Sequence, residues 1–258
     1  FNTMDRGYWL PSSPFLMNAG TKLPMLDACF VLGIEDDTPS IFDTLKKAAI
    51  VHKMGGGTGF DFSPLRAKGA SIATTGGTST GVLSFMRLFD LEGEVIKQGG
   101  RRRSANLAGL RVDHPEILDF IDAKLDKSSF NNFNFSVIIP NWFMHKVRAN
   151  ESYDLIDHKG EIVESLNARE VFLRIVKNNW ECAEPGVLFR DNMNSRNRLL
   201  HLGEISVTNP CVTGDTLVLT KKGHVPIKDL VGKQAEVYSS DGRYYPIVGA
   251  FATGTKPV

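Results

Sequence analysis

Ala48-Ala49-Ile50-Val51-His52-Lys53-Met54-Gly55-Gly56-Gly57-Thr58-Gly59-Phe60-Asp61-Phe62 passes from one backbone periodicity to another within a few residues. Upstream of the glycines, Ile41, Leu45, Ala48 and Ala49 recur at helical spacing, which predicts a helix from Ser40, as N-cap, to Met54. The run Gly55–Gly59 stops it, because glycine is the residue that ends helices most readily. Phe60 to Leu65 then reads as a strand. Helix, glycine stop and short strand in succession are the signature of an α/β fold.

The same alternation extends in both directions. An apolar run from Asp27 to Leu32 around Cys29 predicts a buried strand, and Gly81 to Gln98 predicts a helix offering Phe85, Leu88, Phe89, Val95 and Ile96 to a core. His114-Pro115 opens a helix carrying Ile117, Leu118 and Ile121, since proline suits the first helical position. Phe133 to Ile139 reads as a strand. Asn167 and Glu170 have capping-box spacing ahead of a helix with Val171, Phe172, Ile175, Val176 and Trp180, and Val187 to Phe189 is a further short strand. The pattern holds to about residue 207. After Pro210 it changes to β-type runs, Thr216–Thr220, Ala235–Tyr238 and Ile247-Val248, separated by Lys222-Gly223 and Asp241-Gly242 turns. This places a domain boundary at Pro210/Cys211.

Composition narrows the class. Of 258 residues, 42% are hydrophobic and 23% charged, which fits folded globular material rather than disorder. Lys plus Arg total 30 against 29 for Asp plus Glu, so no bulk field argues for DNA, RNA or a membrane surface as partner. No apolar run is long enough for a membrane span, and the opening residues lack the apolar core of a signal peptide, so the sequence reads as cytoplasmic. Phe1 at the start and a loop-like end around Gly254-Thr255 read as a fragment of a longer chain. Three cysteines, Cys29, Cys182 and Cys211, are too few and too scattered for a disulfide framework or a zinc site.

Two glycine-rich stretches leave structural and functional readings open. Gly55–Gly59 can let backbone N–H groups approach a phosphate, but no Gly-Lys-Ser/Thr follows and the next element is a strand, so a plain turn is the favoured reading. Gln98-Gly99-Gly100-Arg101-Arg102-Arg103 carries guanidiniums able to clamp phosphates or stack on bases; a solvated basic turn is the alternative. Cys29 and Cys182, read singly, are small buried hydrophobes, and no histidine pairs with another at metal-ligand spacing.

Taken in order, the blocks carry more. Ser12–Thr21, Ala28-Cys29-Phe30-Val31-Leu32, Gly57–Arg66, Gly76-Gly77, Lys97–Asn106, Asp113-His114-Pro115, Asn132–Val137, Glu184–Phe189 and Ser206-Val207-Thr208-Asn209-Pro210 resemble consecutive segments of a ribonucleotide reductase large subunit. The resemblance covers residues 1–210 and implies the first part of a ten-stranded α/β barrel. It implies that Cys29 belongs to a redox pair that reduces the substrate and that Asn209 is the amide that holds it, with Ser13, Ala28 and Gly56 at the ribonucleotide. It places Gln98 and Arg102 in a specificity loop that reads the base, and Asp36 and Arg66 at a nucleoside triphosphate effector on a homodimer interface. The Asn-Pro at 209-210 resembles the adenosylcobalamin-dependent class, with a thioredoxin-like dithiol as reductant. An oxygen-dependent enzyme with a separate radical-generating subunit is the alternative.

The resemblance breaks at Cys211, where the family's Gly-Glu is missing. Cys211-Val212-Thr213-Gly214-Asp215-Thr216-Leu217-Val218 instead resembles the opening block of an intein, and Gly223–Leu230 the segment that follows. Cys211 is then the splicing nucleophile, and residues 211–258 are the first strands of an all-β Hint domain. On that reading protein splicing is a second candidate for the chain's own activity, beside ribonucleotide reduction or mere nucleotide binding.

Overall fold

The computed structural model describes residues 12–22, 25–96, 105–126, 128–209, 217–221, 223–226, 236–238 and 244–246. The chain divides into two units, Cys29–Pro210 and the segments Phe1–Ala28 with Cys211–Val258, and each is described by itself. No described helix is long and apolar enough to cross a membrane.

The larger unit is built on five parallel strands in the order β1 (Cys29–Leu32), β2 (Gly57–Asp61), β3 (Asn106–Arg111), β4 (Phe133–Ile139) and β7 (Gly186–Phe189). Helices α2 (Thr38–Lys53), α3 (Val82–Val95), α4 (Ile117–Asp122), α5 (Asn141–Ala149) and α6 (Ala168–Cys182) occupy the connections, with an antiparallel hairpin, β5 (Ser152–Ile156) and β6 (Ile162–Asn167), between α5 and α6. Parallel neighbours cannot be joined by tight turns, so each connection needs an element of its own.

Side chains alternate across the sheet. The back face turns Phe60, Phe133 and Phe135 toward the helices, where they join Phe62, Phe89 and Phe120 in a buried aromatic core. The front face carries Gly57, Gly59 and Gly109, and the returning segment Val207–Asn209 lies on them. A Cβ on Gly59 would stand 2.4 Å from the Thr208 carbonyl oxygen, and one on Gly109 would stand 2.9 Å from Val207 Cγ2. Here glycine is needed for close approach of another stretch of chain, and this corrects the sequence expectation that Gly55–Gly59 is a turn or ligand loop ahead of a strand beginning at Phe60.

Boundaries shift elsewhere for identifiable reasons. Helix α2 begins at Thr38 because Asp37, not Ser40, is its N-cap; the Asp37 carboxylate accepts from the Ser40 N–H at 2.9 Å. Helix α3 starts after Gly81, whose φ of +88° suits glycine, and its first N–H groups are met from outside: Glu116 Oε2 accepts from Val82 N–H at 2.9 Å. Burial raises the Glu116 carboxyl above the ordinary carboxylate range, against the lowering by those backbone donors. Asn167 caps α6 as the spacing requires, accepting from Arg169 and Glu170 N–H groups.

The other unit contains a short helix α1 (Ser13–Asn18) and an antiparallel sheet of β8 (Leu217–Thr220), β9 (Gly223–Pro226), β10 (Glu236–Tyr238) and β11 (Tyr244–Pro246), in the order β11-β10-β8-β9. Asn18 ties the turn after α1 by donating from Nδ2 to the Met25 carbonyl at 2.7 Å. The expected run Ile247-Val248 lies outside the described residues.

Candidate functional site

All five parallel strands begin at one end of the sheet, and three of the sequence-predicted residues gather there. Cys29 is the first residue of β1 and pairs in register with Gly57. A Cβ on Gly57 would stand 3.1 Å from the Ala105 carbonyl oxygen and 3.4 Å from Asn209 Nδ2. Val31 Cγ2 lies 3.7 Å from the Cβ direction of Gly59, so Val31, and by alternation Cys29, share the front face with Thr208 and Asn209. Cys29 is exposed.

Asn209 Nδ2 is buried and has no hydrogen-bond partner among the described residues. Such a donor is costly to leave unmade, on the order of 1–3 kcal/mol. A thiol-bearing strand start and an unsatisfied buried amide therefore flank one glycine, an arrangement suited to an oxygen-rich ligand that accepts from the amide. Gly56 is the buried residue before β2, and a Cβ there would stand 2.6 Å from Val51 Cγ1 and 3.2 Å from the Phe30 ring, so it is held small by protein packing.

The far end of the sheet holds a second pair. Arg66 donates from Nε to Asp36 Oδ2 at 2.7 Å, from its backbone N–H to Asp36 Oδ1 at 3.1 Å and from Nη1 to the Ser71 carbonyl at 2.9 Å. Both side chains are 24% exposed. The ion pair joins the turn after β1 to the turn after β2; with Nη2 also donating to the Asp36 carbonyl at 3.5 Å, two of the five guanidinium N–H groups have no protein acceptor among the described residues. A cavity of about 310 Å3 lies nearby, lined in part by Ser63, Arg111, His114 and His158. His114 is already fully used there: Nε2 donates to the Leu65 carbonyl, Nδ1 accepts from the Glu116 N–H, and burial pushes its pKa down.

The remaining candidates are placed individually. Ser13 is the first residue of α1 and Ala28 is half-buried ahead of β1, both in the other unit. Gln98, Arg102 and Cys211 lie outside the described residues. Cys182 is half-buried at the end of α6, its thiol donating to the Asn178 carbonyl. Sequence reasoning missed a buried polar chain behind β2, formed by His52, Glu92, Thr58 and Asn106. Its members are 40 and 48 residues apart, beyond any local pattern.

With this geometry in place, comparison with known families is decisive. The ribonucleotide reductase barrel domain matches residues 27–213. The chain belongs to that family. Among reductase relatives, a protein of Thermoplasma acidophilum named vitamin B12-dependent ribonucleoside-diphosphate reductase is 44% identical over 205 residues, covering 79% of this chain and 27% of its own length. A Mycobacterium tuberculosis protein of the same name is 45% identical over 205 residues, covering 79% of this chain and 30% of its own length. The ribonucleoside-diphosphate reductase large chain of Schizosaccharomyces pombe is 27% identical over 273 residues, covering 95% of this chain and 33% of its own. The chain thus spans about a quarter to a third of these reductases. The matched region includes Cys29, Gly57 and Asn209, so the glycine-seated amide belongs to the reductase barrel.

Proposed function

We propose that the complete protein reduces ribonucleotides to 2′-deoxyribonucleotides, with Cys29 as one thiol of the reducing pair and Asn209 as the amide that holds the sugar. The observation that carries this reading is the buried, unpartnered Asn209 Nδ2 against Gly57, the register partner of Cys29. In the reaction the ribose 2′ C–O bond breaks and the hydroxyl leaves as water. Two thiols give up two electrons and two protons and join as a disulfide, while a thiyl radical borrows and returns the 3′-hydrogen. An external dithiol of the thioredoxin kind then reopens the disulfide. Asn209 orients a sugar hydroxyl, and the front face excludes water where Leu107, Ile138 and Val207 are buried. The five parallel strands form half of a ten-stranded barrel on this reading.

Adenosylcobalamin is the radical source we favour, because the relatives at 44% and 45% identity are named as vitamin B12-dependent, whereas the large chain stands at 27%. Their names also favour a ribonucleoside diphosphate as substrate. Cys29 and Val31 are exposed on the front face, and no described side chain is assigned to hold the cofactor. When bound, the cofactor supplies the radical that begins the ribose chemistry. Complete enzyme given a ribonucleoside diphosphate, a dithiol and adenosylcobalamin should yield the 2′-deoxy product by chromatography and mass spectrometry, and omission of the cobalamin should stop it. Turnover that instead needs a separate radical-generating subunit would establish the oxygen-dependent alternative.

Regulation and assembly follow the same reading. Asp36 and Arg66 bind a nucleoside triphosphate effector, and Gln98 and Arg102 relay its identity. A homodimer is supported by apolar side chains left exposed on α2 and α3: Phe42, Ile50, Leu88, Leu91 and Val95. Leu88, Leu91 and Val95 fall on one face of α3 by their spacing.

Residues 211–258 open an intein in this proposal, with Cys211 as its first nucleophile. The break in the reductase pattern at Cys211 supports it, as does the all-antiparallel sheet of β8 to β11. Complete precursor carrying Cys211→Ala should give no ligated product on mass spectrometry; splicing at the normal rate would remove Cys211 from that role.

A further inference from the structure

Behind the glycine face, four side chains from four elements make one continuous polar chain. Glu92 of α3 places Oε2 at 2.8 Å from His52 Nδ1 of α2; His52 Nε2 lies 3.0 Å from Thr58 Oγ1 of β2; and Thr58 Oγ1 lies 2.5 Å from Asn106 Oδ1 of β3. His52, Thr58 and Asn106 are buried, and the Glu92 side chain is 9% exposed.

Thr58 Oγ1 donates to Asn106 Oδ1, and His52 bridges Thr58 and Glu92 through its two ring nitrogens, with donor and acceptor roles set by its tautomer. The chain ends with Asn106 Nδ2 buried and unpartnered among the described residues.

We propose that the Glu92–His52–Thr58–Asn106 chain is a positioning device for the site on the opposite face of the sheet, and this rests on the ribonucleotide-reduction reading above. Thr58 directly follows Gly57, and Asn106 directly follows Ala105. The Thr58 N–H donates to the Ala105 carbonyl at 3.0 Å, and that same oxygen lies 3.1 Å from the Cβ direction of Gly57. One residue of backbone thus separates the hydroxyl behind β2 from the seat of Asn209 in front of it. By tying Thr58 to Asn106, the chain sets the spacing of β2 and β3 where Gly57, Ala105 and Asn209 meet. A buried polar chain is a poor way to gain stability compared with apolar packing, and its advantage is a defined geometry. None of the four residues touches the reacting atoms; each acts through the strand start.

The test uses the complete spliced enzyme with Thr58→Val, which keeps the shape and removes the hydroxyl, and Thr58→Ser, which keeps the hydroxyl. The expected result is a fall in kcat of at least tenfold for Thr58→Val, larger than any change in KM, with Thr58→Ser within threefold of wild type. Independently of turnover, nitrogen-15 NMR should show the His52 Nε2 signal moved in Thr58→Val and kept in Thr58→Ser. Wild-type kcat and KM in Thr58→Val, equal impairment of both variants, or a His52 Nε2 signal unmoved in Thr58→Val each overturns the proposal. Should Thr58→Val not fold, Glu92→Ala at the outer end of the chain carries the same expectation for kcat and the same power to refute it. Wild-type enzyme that binds but never reduces ribonucleotides would count against the functional reading, while the His52 signal in Thr58→Val would still report on the chain itself.

Discussion

Complete enzyme carrying Cys29→Ser should bind ribonucleotide normally and make almost no deoxynucleotide, with turnover below about one-thousandth of wild type. Serine nearly reproduces the size of cysteine and fits the same exposed strand start. What it lacks is the redox chemistry: a hydroxyl neither ionises near neutral pH nor joins a second sulfur to release two electrons. Stability should change by no more than about 0.5 kcal/mol, because the two side chains differ by one atom of similar size. A product assay alongside equilibrium nucleotide binding separates the two effects. Turnover within tenfold of wild type would remove Cys29 from the reducing pair.

Gly59→Ala should lower kcat/KM by about 100-fold, on the rule that a misplacement of about 1 Å in a catalytic group costs roughly that much. The added methyl would stand 2.4 Å from the Thr208 carbonyl oxygen and 3.3 Å from its carbon. Those are backbone atoms, which cannot swing aside as the end of a side chain can. The segment Val207–Asn209 must therefore lift from the sheet and carry the Asn209 amide with it. Overpacking of this kind also costs stability, about 1–3 kcal/mol. Gly33→Ala is the matched control, since a Cβ there meets nothing within 4 Å. If Gly59→Ala keeps wild-type kcat/KM while Gly33→Ala does too, the glycine seat has no bearing on the reaction.

Both predictions turn on contacts that sequence reasoning read unevenly. The strand Phe133–Ile139 and the Asn167 cap were legible because their signals are local: an apolar run bounded by polar residues, and a side chain two to three residues from the N–H groups it satisfies. Gly57 and Gly59 were not legible as strand residues, because what makes them glycine is a segment nearly 150 residues later. The hairpin of β5 and β6 escaped notice because β6 is exposed along most of its length and shows no alternation of buried and exposed positions. Cys29 and Asn209 were named from a family resemblance, and their spatial relation through Gly57 came only from the structure. The Glu92–His52–Thr58–Asn106 chain had no trace in the sequence, since each residue taken singly is an unremarkable helix or strand position.

The order of the parallel strands bears on how the chain is made. Each strand of β1-β2-β3-β4-β7 pairs with the one that precedes it among them in the chain, so the sheet can be assembled one strand at a time as residues leave the ribosome. Val207–Asn209 is the last described piece of the larger unit, and it settles onto a groove already complete by β3. The glycine seat is therefore made before the segment that fills it has been translated.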